Sequence, residues 1–234
     1  MSQLANMPEA QSAVRLEETA LRDIDRHLCE LCALVQSRSI VKKALEEPDF
    51  VLTSGAHSRF YCDTKKVTLS PEGARMTGEI FFSLIDGEAQ AVGGLILGAA
   101  FIATAVALVS SQHDHPIYAF TVRDEPKSHG TKEVMAQSYH PDGQELLCPG
   151  RRVAVVDDVV TKGGSILKAI DEVEKRHCEI TAVIALVDRG EGGGAALLRR
   201  GLPYFALFNA DSNGNLTINE DLPVRPRVHR VHTA

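Results

Sequence analysis

Val153–Ser165, VAVVDDVVTKGGS, decides the fold of this chain. Apolar residues run into the adjacent carboxylates Asp157 and Asp158. An apolar pair follows, and then Thr161, Lys162, Gly163, Gly164 and Ser165 precede a helix-like run, Ile166–Lys175. A short, uninterrupted apolar run is the pattern of a parallel strand buried on both faces. The small and hydroxyl-bearing residues after it suit a tight turn into a helix N-terminus. Such a turn offers a row of backbone N–H groups and hydroxyls, and at a helix N-terminus such a row holds a phosphate. Two carboxylates beside it suit a ribose diol, or a Mg2+ carried by a phosphorylated substrate. The spacing differs from both the dinucleotide and the Walker fingerprints.

Around this stretch strand-like and helix-like segments alternate. Ala89–Gly93 reads as a short strand, Gly98 to Ser110 as a helix and Ile117–Val122 as a strand. After the central strand Val153–Val156 come a helix over Lys162–Arg176, a strand over Ile180–Val187 and a glycine-rich turn, Gly190–Gly194. Ala195–Arg200 is helical, and Tyr204–Asn209 is the last strand expected. This alternation predicts an α/β fold with a mostly parallel central sheet flanked by helices. Ser70 followed by Pro71 marks the start of a further helix, Pro71–Asp86, since proline at the first helical position after a serine cap is favourable. Asp23–Leu45 carries a helical apolar period, interrupted near Gln36–Ser39, and Phe50–Ser70 reads as a β-ribbon that caps something. Asp124–Gln137 is polar, without period, and reads as a long functional loop. Glu145–Cys148 reads as an edge strand. The expected organisation is one domain over residues 1–234, with an N-terminal extension (1–22), a helix and hood (23–70), an α/β core (71–210) and a loosely attached tail (211–234).

With 44% hydrophobic residues in 234, the chain has ample material for a core. Its net charge of −6 and pI of about 5.8 argue against non-specific binding of nucleic acid or of a membrane surface. The most apolar run, Val92–Val109, contains Gly93, Gly94 and Gly98, which suit a turn and a helix start better than a membrane span. The first residues, MSQLANMPEAQ, lack the basic and apolar regions of a signal peptide, so a cytoplasmic protein is expected. The five cysteines are scattered, as free thiols would be. Cys29 and Cys32 form a CxxC on a helical period and read as two half-buried helix thiols. His113-Asp114-His115 reads as a solvated turn.

The Val153–Ser165 stretch also resembles the signature of the type I phosphoribosyltransferases, and further segments resemble the orotate branch of that family. Phe50–Tyr61 (FVLTSGAHSRFY) and Val67–Ala74 look like its hood and the segment after it. Val92–Ala107 looks like its pyrophosphate loop and helix, Val122–Gly130 (VRDEPKSHG) like its catalytic loop, and Leu186–Gly193 (LVDRGEGG) like the segment that meets the orotate carboxylate. The resemblance runs in order from Phe50 to Asn209. It implies the type I phosphoribosyltransferase fold with a small N-terminal hood, and transfer of phosphoribose from phosphoribosyl pyrophosphate (PRPP) to orotate. A different nucleobase, or PRPP binding for regulation without catalysis, are the alternatives. The family implies pyrophosphate contacts for Arg123, Lys127 and His129, and ribose contacts for Asp157 and Asp158. It also implies a 5′-phosphate cradle at Thr161, Lys162, Gly163, Gly164 and Ser165, and a carboxylate partner in Arg189. The neighbouring Asp188 offers Arg189 a purely structural ion pair instead. Mg2+ is implied mainly through PRPP, with Asp157 and Asp158 reaching it through water, and a homodimer that shares its catalytic loop between subunits. Thr53, Leu97 and Asp124 stand where the family pattern often has lysine.

Overall fold

The chain opens on a long helix, α1 (Met7–Leu34), in a computed structural model that describes residues 7–44, 46–51, 57–124, 134–137 and 142–224. A wider, π-helical turn over Val35–Ser39 ends it. Short strands follow: β1 (Ile40–Lys42), β2 (Phe50–Val51), β3 (His57–Ser58) and β4 (Phe60–Cys62). β1 pairs antiparallel with β4, and β2 with β3, which makes the hood. A single helical turn, α2 (Lys65–Thr68), leads to α3 (Pro71–Leu84). At the head of α3, Pro71 takes the first turn and the Ser70 hydroxyl accepts from Gly73 N at 3.1 Å, as the sequence predicts.

Beyond α3 the strand–helix alternation appears in full. It comprises β5 (Ala91–Leu95), α4 (Gly98–Ser110), β6 (Tyr118–Val122), β7 (Met135–Gln137), β8 (Arg152–Val160), α5 (Gly164–Glu174), β9 (Glu179–Asp188), α6 (Gly193–Arg199), β10 (Tyr204–Ala210) and β11 (Leu216–Ile218). One seven-stranded sheet collects them in the order β11-β10-β9-β8-β5-β6-β7. The inner strands run parallel, and only the edge strands β7 and β11 are antiparallel. Successive side chains of a strand point to opposite faces. Ala154 and Val156 of β8 therefore pack with α1, α3 and α4, while Val153 and Val155 pack with α5 and α6. Burying each of these valines contributes roughly 1.5–3 kcal/mol, which is why the strands read as unbroken apolar runs. Among the described residues no helix is long and apolar enough to cross a membrane.

Several expectations need correction. α1 starts at Met7, well before Asp23, and ends at Leu34; Ile40–Lys42, β-branched at Ile40 and Val41, is a strand rather than the end of a helix. The ribbon expected to Ser70 stops at Cys62, and α2 follows. Within the expected loop Asp124–Gln137, Met135–Gln137 forms a strand on β6, with Met135 buried. Glu145 makes a single β-bridge and Glu145–Cys148 forms no longer strand; Leu146 and Leu147 are buried. β10 is not the last strand. Asp211 accepts from the N–H groups of Asn213 and Asn215, both at 2.8 Å, and Gly214 takes a positive φ of 72°. That tight turn sends β11 back along β10, so Leu216, Ile218, Leu222 and Val224 pack on the core instead of trailing from it. His113 is buried against Phe82, with ring centroids 4.7 Å apart, rather than solvated. Cys29 is exposed and only Cys32 is half-buried.

Candidate active site

Chain direction across the sheet reverses between β5 and β8: β5 continues to β6 on one side, β8 to β9 on the other. In open α/β sheets the crevice at the carboxyl ends of the strands, at such a switch point, is where ligands bind. Asp157 and Asp158, the Thr161–Ser165 loop, Arg123 and Arg189 all lie at those carboxyl ends.

The two acids have unequal surroundings. Asp158 Oδ2 accepts from the Thr64 hydroxyl at 2.6 Å and Oδ1 from Val159 N at 3.0 Å. Asp157 is only 5% exposed, and its Oδ1 accepts from Asp158 N at 3.0 Å. Burial first, and then the neighbouring charge of Asp158, raise Asp157 well above the usual carboxylate range. Gly98, the first residue of α4, lies directly against Asp158: a Cβ there meets the carboxylate carbon at 2.1 Å. Gly98→Ala is therefore expected to displace Asp158 and cost about 1–3 kcal/mol, the usual range for overpacking. A melting temperature lower by several degrees and a weakened Thr64–Asp158 contact, read by calorimetry and a crystal structure, check this.

The loop after β8 has the predicted form. Gly163 caps α5 in the left-handed region, at φ 84°, and a Cβ at Gly164 meets nothing within 4 Å. The first bond of the helix runs from Leu167 N to Gly163 O at 3.0 Å. The N–H groups ahead of it have no carbonyl within the helix, an arrangement that can hold an anion. Thr161 O accepts from Gly193 N at 2.9 Å, which braces this loop on the start of α6. Lys162 and Ser165 are exposed.

Arg189 follows β9 and is 9% exposed. Its Nη2 donates to Ser58 Oγ of the hood at 2.8 Å, its Nε lies 3.1 Å from Glu191 Oε1, and its guanidinium stacks 4.2 Å over the Phe60 ring. Asp188 does not pair with it. That carboxylate accepts from Tyr204 Oη and from Gly190 N, each at 2.8 Å. Arg123 sits at the end of β6 with its backbone N–H donating to Val134 O at 2.7 Å, and its Nε is buried without a hydrogen bond among the described residues. Asp124 forms an ion pair with Lys168 of α5. Lys127, His129 and Thr53 lie outside the described residues. Thr64, Ser58, Phe60 and Lys168 are site neighbours that the sequence alone did not single out. The Asp63-Thr64-Lys65 run, polar residues between the hood and a helix, was the available signal.

A family model, the phosphoribosyl transferase domain, matches residues 72–197, more than half of the chain. The orotate phosphoribosyltransferase of Aquifex aeolicus (strain VF5) is 42% identical over 180 residues, covering 76% of this chain and 93% of that one. This chain belongs to the orotate phosphoribosyltransferases. A second member of that family, from Nostoc sp. (strain PCC 7120 / SAG 25.82 / UTEX 2576), is 42% identical over 165 residues, covering 70% of this chain and 77% of the relative. Among solved structures, the Mycobacterium tuberculosis H37Rv orotate phosphoribosyltransferase in complex with Fe(III) dicitrate superposes with a TM-score of 0.62 at 31% identity, over 78% of this chain and 96% of that one. The orotate phosphoribosyltransferase fold expected from the sequence, a mostly parallel sheet between helices with an N-terminal hood, is thus borne out. Asp157, Asp158, the Thr161–Ser165 loop and Arg189 fall inside the matched region, while Ser58, Phe60 and Thr64 precede it.

Proposed function

We infer that this protein joins N1 of orotate to C1 of PRPP, releasing pyrophosphate and forming orotidine 5′-monophosphate, a step of pyrimidine biosynthesis. The observation that supports this reading is the meeting, at the carboxyl ends of the strands, of a glycine-led helix start, two adjacent acids and an arginine held against the hood by Ser58 and Phe60. The Thr161–Ser165 amides and hydroxyls take the 5′-phosphate. Asp157 and Asp158 accept from the ribose hydroxyls. As the C1–O bond to pyrophosphate breaks and the bond to N1 forms, with the N1 proton released to solvent or the departing pyrophosphate, the ribose gains oxocarbenium character, which the two carboxylates favour. No protein nucleophile takes part. Arg123, Lys127 and His129 hold the charge that develops on the leaving pyrophosphate.

Mg2+ belongs to this reading as part of the substrate, where it neutralises phosphate oxygens. The donor set supports that. Asp158 accepts from the Thr64 hydroxyl and from Val159 N and keeps further acceptor capacity for a ribose hydroxyl or for a water on the ion. In this reading PRPP would hold the ion, with Asp157 and Asp158 reaching it through water. A cytoplasmic homodimer, with the segment around Lys127 acting in the neighbouring subunit, completes the proposal.

Loss of orotate absorbance on adding PRPP and Mg2+ tests the activity; no loss from a protein that still binds PRPP would overturn it. For base selection, Arg189 offers the orotate carboxylate a planar, two-donor edge that a lysine lacks. Arg189→Lys is expected to raise KM for orotate about 10- to 100-fold while KM for PRPP moves little. Steady-state kinetics with each substrate varied in turn check the split.

A further inference from the structure

Two acids form the floor of a crevice proposed to take a substrate with several phosphate charges, so the cations placed there govern how tightly it binds. Among the described residues, Arg123 and Lys162 already have proposed partners in the pyrophosphate and the 5′-phosphate. Arg189 is proposed for the orotate carboxylate and is positioned by Ser58, Glu191 and Phe60. Ile96 and Leu97, in the loop ahead of α4, present apolar side chains that are 41% and 58% exposed. At the end of β6 stands an anion, Asp124.

Lys65 is placed differently. Thr64 is fully buried and locked on Asp158 at 2.6 Å, which docks the first turn of α2 against the acid pair. Lys65 is the next residue. Its Nζ is fixed by Asp63 Oδ1 at 2.7 Å, yet its side chain is 36% exposed. An ammonium has three donors, and an ion pair on one side leaves the others for a ligand. We propose that Lys65 is a substrate-binding residue of this site, donating to an oxygen of the ribosyl pyrophosphate that Asp157 and Asp158 hold. The Asp63 contact, then the charges of Asp63 and Asp158, hold the Lys65 proton more firmly than usual against the opposing effect of burial. The Cys62 thiol, pushed up to about 12 chiefly by burial, also feels the charges of Asp158, Arg189, Asp63 and Lys65. These groups form one electrostatic cluster, and Lys65 stays charged throughout the working pH range.

This inference rests on PRPP as the substrate, so it is tested without the base. Titration calorimetry of Mg2+–PRPP into the full chain, with no orotate present, compares the parent with Lys65→Met, Lys65→Arg and the double variant Lys65→Met/Leu97→Lys. Lys65→Met is expected to weaken PRPP about 10- to 100-fold, the range for one charge-assisted contact, with Lys65→Arg near the parent. Leu97 adjoins Gly98, which touches Asp158, so Leu97→Lys is expected to return much of the lost affinity. In turnover, KM for PRPP rises and KM for orotate stays within about twofold. Parental PRPP affinity in a folded Lys65→Met protein would overturn the proposal. So would equal losses for both substrates, because Lys65 would then only hold the α2 segment. If the parent binds PRPP and turns over no orotate, the proposed reaction fails, while the calorimetric comparison still decides the role of Lys65.

Discussion

Asp157→Asn is expected to give a protein that melts at a higher temperature than its parent and turns over about 10²–10³ times more slowly. Both effects have one cause. Asp157 is closed in at the end of β8 beside a second acid, and burial raises its proton affinity. The folded state therefore keeps the proton at a pH where the unfolded chain has lost it. Stability from this group is fully present below the ordinary Asp value of about 3.9, and it is lost as pH rises through the raised one. Asparagine keeps the shape and can still accept from Asp158 N, but it carries no charge to bury. A gain of about 0.5–2 kcal/mol near neutral pH, or several degrees in Tm, follows. PRPP reverses the balance. In the proposed complex its ribose hydroxyls donate to the ionised carboxylate, so ligand binding should stabilise the parent more than the variant. Melting curves across pH, with and without PRPP, measure both quantities. A variant less stable than the parent at neutral pH, or one with parental turnover, would refute the assignment.

What was legible before the structure follows from what periodicity carries. β8 and β9 are buried on both faces and helix α4 is bounded by Gly98 and Ser110, so their patterns are local and strong. Periodicity carries no partner. Ile40 pairs with Cys62 across the hood, and the intervening residues give no sign of that register. The acid pair shows the same limit at the site. The sequence places two carboxylates side by side, yet their environments come from elsewhere: Thr64, 94 positions away, engages Asp158, while Asp157 is enclosed by packing. Arg189 was legible as a cation after a strand, but its anchor Ser58 lies 131 positions away. The turn at Asp211–Asn215 was legible in principle, since Asn and Gly favour such bends. It was hidden by the weak apolar period of the short strand that follows.

Replacing Lys127 by alanine is expected to lower turnover by about 10²–10³ with little change in melting temperature, because one preorganised charge at the leaving group is lost. The segment that carries it joins β6 to β7, and its described ends are held by the Arg123 N–Val134 O bond and by the β6–β7 pairing. Those anchors stand at the carboxyl edge of the sheet, on the same side as the acids. Whether the lysine serves its own crevice or that of a second copy is answered by mixing. In the proposed homodimer, Lys127→Ala and Asp157→Asn are each expected to be nearly inactive alone. In a mixed dimer with a loop that reaches across, one crevice combines intact acids with an intact Lys127, and the other has neither. Random exchange makes half of the dimers mixed, so activity should return to about a quarter of the parental value. A loop serving its own subunit leaves every crevice defective, and mixing then restores nothing. That result would remove the shared-loop dimer while leaving the chemistry assigned to Lys127 in place.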